Sequence, residues 1–84
     1  MTLSFTSTGW SDYLWWQIYD PKVLLRINKL IADTLGNPKS GLGNPKPLRF
    51  SDLDAWSRRV NLEHRMVYVV NQQEVVVIQL RYHY

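Results

Sequence analysis

The chain has 84 residues, with 45% hydrophobic and 13% aromatic side chains and no cysteine. That is enough for one globular domain burying ~60% or slightly more of its unfolded surface, and it excludes disulfides, thiolate metal sites and a cysteine nucleophile. Ten Lys and Arg against seven Asp and Glu give a formal charge of +3, a mild basic excess that suits RNA or an acidic partner.

The N-terminus "MTLSFTSTGW" has neither the charged start nor the long apolar stretch of a signal peptide. No apolar run reaches the ~18 residues of a membrane span. The expectation is a single cytoplasmic domain over residues 1–84 with no membrane association.

"LSFTS" alternates apolar and polar residues and predicts a short strand. Ser7 or Thr8 offers an N-cap for a first helix over 8–19, where Trp10, Tyr13, Leu14 and Ile18 fall at helical spacing. Asp20 can cap a second helix with Pro21 in its first position. Val23, Leu24, Ile27, Leu30, Ile31 and Leu35 then recur at three- and four-residue steps, and Gly36 suits the stop. "GNPKSGLGNPKP", 36–47, is a long loop with a small internal echo of GNPK.

The remainder reads as β: "PLRF", then "WSRRVNL", "HRMVYVV" and "EVVVIQLRYHY", the last two joined by the turn "NQQ". Strand, two helices and three or four further strands define an α+β domain. Its two N-terminal helices should pack on one face of a mostly antiparallel sheet.

Alternation in the last strand places Ile78, Leu80, Tyr82 and Tyr84 on one side and Gln79, Arg81 and His83 on the other. Arg65 begins a neighbouring strand. Arg49, Arg58 and Arg59 come from the preceding ones, so basic residues concentrate in the second half. Each has an ordinary explanation too. A wet sheet face carries Arg58, Arg59 and Arg81 without any function. Tyr82 reads as core, His64 as structural, and the tryptophans as packing.

The strings "WSDYLWWQ", "DPKVLLRINKLIADT", "KPL", "WSRRV", "EHRMVYVV" and the terminal "RYHY" together resemble the YoeB/Txe group of RelE-like toxins of bacterial toxin–antitoxin systems. The resemblance spans essentially the whole chain. It implies a RelE-like, microbial ribonuclease-like fold and ribosome-dependent cleavage of mRNA in the A site. No metal or cofactor is implied. The implied partners are the ribosome with its mRNA and an antitoxin with an acidic segment, and a homodimer is compatible with the family. By matching motifs, Arg65, His83 and Tyr84 are the catalytic candidates. Arg49 matches a basic position of the family, and Arg59, with Arg58 and Arg81, belongs to the surrounding basic surface.

One departure stands out. The family's "GKPEPL"-like loop supplies a glutamate as general base, whereas this chain reads "GNPKPL" with Lys46 at that position. A protonated lysine cannot accept a proton. Three readings follow. His83 acts as base while Lys46 stabilises phosphate charge; a carboxylate such as Asp52, Asp54 or Glu63 is repositioned; or the chain is an attenuated relative that binds ribosome and antitoxin but cleaves weakly.

Overall fold

The computed structural model describes residues 1–49 and 52–82. His83 and Tyr84, the two terminal site candidates, lie outside the described residues. The element order is β1 (Thr2–Phe5), α1 (Ser7–Tyr19), α2 (Pro21–Gly36), β2 (Lys46–Pro47), β3 (Ala55–Arg59), β4 (Arg65–Asn71) and β5 (Glu74–Gln79). The strands form one sheet in the order β1-β5-β4-β3-β2. The β1–β5 pair is parallel and the other pairs are antiparallel. The expected α+β architecture is therefore present.

Both helix starts are encoded locally. Thr6, one residue ahead of the expected cap, accepts from the Gly9 N–H with its side chain and starts α1. Asp20 accepts from the Val23 N–H, and Pro21 opens α2. Helix α2 buries Ile27, Leu30 and Ile31 as its spacing predicts.

Helix α1 behaves differently. Its buried residues are Gly9, Asp12 and Trp16, while Trp10, Leu14 and Ile18 are exposed. The apolar spacing there marked the outer side. The inner side carries a glycine because α1 crosses β5 so closely that an added methyl would overlap the Val77 carbonyl. It carries an aspartate because that carboxylate has a backbone N–H to accept from.

The main core lies between helices and sheet. Trp16, Ile27, Leu30 and Ile31 meet Val60, Met66, Tyr68, Val75, Val77 and Leu80 there. A smaller cluster, Leu48, Ala55, Val67 and Val69 with Ile78 against it, lies on the opposite face by strand alternation. That second face is the one the helices leave uncovered.

The long loop between α2 and β2 is held from beneath. Arg58, expected on a wet face, is fully buried. Its Nε donates to the Tyr68 hydroxyl at 3.0 Å, and Nη1 donates to Asp33 Oδ2 at 2.6 Å and to Leu42 O at 3.0 Å. Nη2 donates to the carbonyls of Asn37 and Ser40. Every guanidinium N–H is thus engaged. Tyr68 in turn donates to Pro38 O at 2.5 Å. Burial pushes its phenol up, so it remains a donor. The Leu42 N–H also donates to Asp33, and the Arg59 N–H to Gly43 O.

The Leu42 N–H, and then Arg58, hold the Asp33 carboxyl below its ordinary value. A depressed carboxylate stabilises the fold above its unfolded value, near ~3.9, and loses that contribution as pH falls through its folded value. Urea-unfolding midpoints should therefore drop below about pH 4, and Asp33→Asn should flatten that acid limb relative to the parent. Equal slopes for the two proteins would contradict this account.

Candidate active site

Directly paired residues of an antiparallel ladder share a face. Lys46 pairs with Ser57, Ser57 with Val67, and Arg59 with Arg65. Val67 belongs to the cluster on the helix-free side. Lys46, Ser57, Arg59 and Arg65 therefore share that side, in two adjacent rows of the ladder, ~7 Å apart along the strands. Arg65 Nε donates to Ser57 Oγ at 3.1 Å, which leans the guanidinium from its own row toward the row of Lys46. Arg65 is half-buried, while Arg59 and Lys46 are exposed.

Two arginines placed directly opposite each other repel. Such a pairing suits a face that receives an anion. The uncovered side thus offers a fork donor, a second guanidinium and an ammonium to a phosphate.

Beside Arg65 runs the segment after β5, and here the expected last strand ends early, at Gln79. Strand β5 stops at Gln79 because α1 takes both backbone groups of Leu80. The Leu80 N–H donates to Asp12 Oδ2 at 2.9 Å, and Trp16 Nε1 donates to Leu80 O at 2.9 Å. The chain then bends. Tyr82 adopts φ 63° and is exposed rather than core. Its N–H donates to His64 Nδ1 at 2.6 Å, and its carbonyl accepts from the Arg65 N–H at 3.1 Å. Gln79 Nε2 donates to Arg81 O at 2.9 Å. The chain therefore enters residues 83 and 84 from a point bonded to the Arg65 backbone.

The remaining candidates divide cleanly. Arg81 does not share a polar row with Gln79. Its guanidinium stacks over Trp15 at 4.0 Å and donates to the Tyr82 hydroxyl at 2.9 Å. Arg58 faces the core beneath the loop, so it is a loop anchor and not a surface cation. Arg49 is exposed in a turn after Leu48. Of the carboxylates, Asp54 lies on the side of Trp56. It accepts from Trp56 Nε1 at 2.8 Å and pairs with Lys39 at 3.0 Å; those bonds, that to Trp56 first, hold its carboxyl below the ordinary value. Glu63 sits in the β3–β4 turn with Oε2 3.8 Å from His64 Nε2. Neither joins the Lys46–Arg65 face. Asp52 is exposed in the β2–β3 connection.

His64 is structural, as its sequence position suggests, whereas the roles of Asp12, Trp16 and Gln79 in supporting the terminal segment are not evident from the sequence. An aspartate four residues before a tryptophan, on the helix side that must face the core, is the hint that could have found the first two.

Two N-terminal helices layered on a five-stranded, mostly antiparallel sheet are the fold of the YoeB/RelE structures. The chain belongs to the YoeB-like toxins of bacterial type II toxin–antitoxin systems, the family that matches residues 5–84. It is 46% identical over 84 residues to Toxin YoeB of Streptomyces coelicolor, covering 100% of both chains. The YoeB/ParE toxin from Agrobacterium tumefaciens superposes with a TM-score of 0.91 at 42% identity, again covering 100% of both chains. The heterotetrameric YoeB–YefM toxin–antitoxin complex from Staphylococcus aureus contains a chain matching with a TM-score of 0.87 at 34% identity, over 100% of this chain and 98% of that one.

Proposed function

We propose that this toxin is a ribosome-dependent endoribonuclease that cleaves mRNA in the A site and so halts translation. The observation that carries the reading is that Lys46, Arg59 and Arg65 share the helix-free face, while Tyr82, which precedes His83 and Tyr84 in the chain, is bonded to the Arg65 backbone.

The chemistry follows from the substrate. RNA carries its own nucleophile. A base takes the 2′-hydroxyl proton, the 2′-oxygen bonds to the adjacent phosphorus, and the bond from phosphorus to the 5′-oxygen breaks. That oxygen leaves with a proton from an acid. The products are a 2′,3′-cyclic phosphate and a 5′-hydroxyl. Arg65 grips the phosphate in a fork, and Arg59 and Lys46 hold the charge that grows on the phosphorane. His83 moves protons near neutral pH, and Tyr84 stacks on a base or donates its hydroxyl. Arg49 adds to the basic approach surface. No step needs a metal, since the nucleophile is intramolecular.

A translating-ribosome assay with mapping of RNA ends tests the reading. Cuts within the A-site codon, seen only on ribosome-bound message, are the expected result. Intact message would favour the second reading, an attenuated relative that binds ribosome and antitoxin without cutting efficiently; Lys46 at the usual glutamate position is the observation behind it.

The proposed partner is an antitoxin whose acidic segment covers the cationic face, a reading supported by the YoeB–YefM complex of the relative. Exposed charges are screened over about 8 Å at physiological ionic strength. Association should therefore slow steeply as salt is raised, by about tenfold or more between low and high ionic strength. Stopped-flow association rates check this, and a flat salt dependence would reject the electrostatic account.

A further inference from the structure

We infer that His64 is a positioning residue for cleavage, acting through the backbone of Tyr82 rather than on the RNA. The inference rests on the proposed nuclease reading for its effect on rate.

Its geometry stands alone. The His64 backbone is fixed on both sides, its N–H donating to Asn61 Oδ1 at 2.8 Å and its carbonyl accepting from the Val60 N–H at 2.9 Å. Its ring meets Trp16 edge-on, with centroids 4.9 Å apart and planes at 88°, and lies 5.2 Å from the Tyr82 ring. The side chain is only 12% exposed. Nδ1 accepts the Tyr82 N–H at 2.6 Å, so that nitrogen carries a lone pair and the ring proton sits on Nε2, toward Glu63.

Tyr82 is what makes this acceptor matter. It is a non-glycine residue in the left-handed region, a conformation that must be imposed from outside. Three bonds to its backbone impose it. Its carbonyl accepts from the Arg65 N–H, which also fixes the start of the strand bearing the phosphate fork, and from Gln79 Nε2 at 3.4 Å; its N–H donates to His64. Tyr82 is the last described residue before His83 and Tyr84, the pair proposed above as catalytic, so a rotation there changes the direction in which the chain continues to them. Displacing a reacting group by about 1 Å costs on the order of 10²-fold in rate. Tyr82 is also exposed, so water can satisfy its N–H if His64 lets go. Folding should hardly register the loss, whereas catalysis should.

Two variants separate the roles of the ring. His64→Phe keeps the edge-on contact with Trp16 and removes the acceptor. His64→Asn loses the ring and keeps an acceptor oxygen close to the position of Nδ1. The measurements are kcat and KM on translating ribosomes, amide exchange of Tyr82 by NMR at one fixed pH, and thermal unfolding. For His64→Phe, kcat should fall on the order of 10²-fold with KM unchanged, and the Tyr82 amide should exchange faster. His64→Asn should recover most of both. Parent-like cleavage by His64→Phe, or a folded His64→Asn that is no better than His64→Phe, would overturn the inference. If His64→Phe does not fold, a folded His64→Asn decides alone: near-parent kcat with a protected Tyr82 amide supports the inference, and slow cleavage overturns it. If the parent itself does not cut, the nuclease reading fails, and the exchange of Tyr82 still decides whether His64 holds the segment.

Discussion

Arg58→Met should destabilise the fold by on the order of 3–5 kcal/mol, the cost of removing one partner from a buried ionic network. For a domain of this size that corresponds to a fall in Tm of at least about 12 °C. The size of the effect comes from what is left behind. Arg58 is fully buried, and its N–H groups reach Tyr68, Asp33 and the carbonyls of Asn37, Ser40 and Leu42. Methionine fills a similar volume and donates nothing, so these acceptors lose their partner together. Arg58→Lys should rescue little, because one ammonium cannot replace a planar fork reaching several directions. Arg59→Met is the control: Arg59 is its exposed neighbour, and substitution there should change stability by no more than about 0.5 kcal/mol. Urea denaturation of the three variants checks the ordering. A loss below about 1 kcal/mol for Arg58→Met would mean that the loop holds itself.

The same residue shows where sequence reading reaches its limit. Helix α2 was legible because Ile27, Leu30 and Ile31 of its single apolar stripe supply most of its buried residues, with Thr34 beside them. Strands β4 and β5 were legible from β-branched runs, whereas β2 is Lys46–Pro47, ahead of most of the expected "PLRF", and β3 ends at Arg59, short of the expected "WSRRVNL". Arg58 was not legible, because an arginine in a strand reads as wet. Only the tertiary fold places Asp33, Tyr68 and three loop carbonyls around it. Helix α1 misled for a related reason. Its inner side uses Gly9 for close approach and Asp12 for a long-range bond to Leu80, neither of which contributes to hydrophobic periodicity. Arg81 and Tyr82 read as a continuation of the last strand, but Asp12 and Trp16 claim the backbone of Leu80 and β5 ends before them. The candidate site was read from motif resemblance, and the fold explains its logic. Arg59 ends β3 and Arg65 begins β4, so the short turn between them makes the two direct neighbours on one face.

The largest expected effect on activity concerns the proton acceptor. His83→Ala should slow cleavage by roughly 10²–10⁴-fold while leaving the domain folded, because terminal residues contribute little stability and general acid–base groups supply that much rate. Lys46 tells whether His83 works as base alone. It is exposed and paired with Ser57, in the row next to Arg59 and Arg65, a place suited to phosphorane charge and unsuited, when protonated, to taking a proton. Lys46→Ala should then cost on the order of 10²-fold, as removing one oxyanion donor does. Lys46→Glu replaces that cation with a carboxylate at the position where the resemblance to the family implies a base. It should raise the cleavage rate above the parent and soften the dependence on His83, so that adding His83→Ala costs less in the Lys46→Glu background than alone. Single-turnover cleavage on stalled ribosomes across neutral pH measures the parent and all four variants. Should Lys46→Glu bind ribosomes yet cut more slowly than the parent, this branch of the family runs on a lysine-based mechanism. Should Lys46→Ala instead match a slow parent, Lys46 contributes nothing to the transition state and the chain is an attenuated toxin.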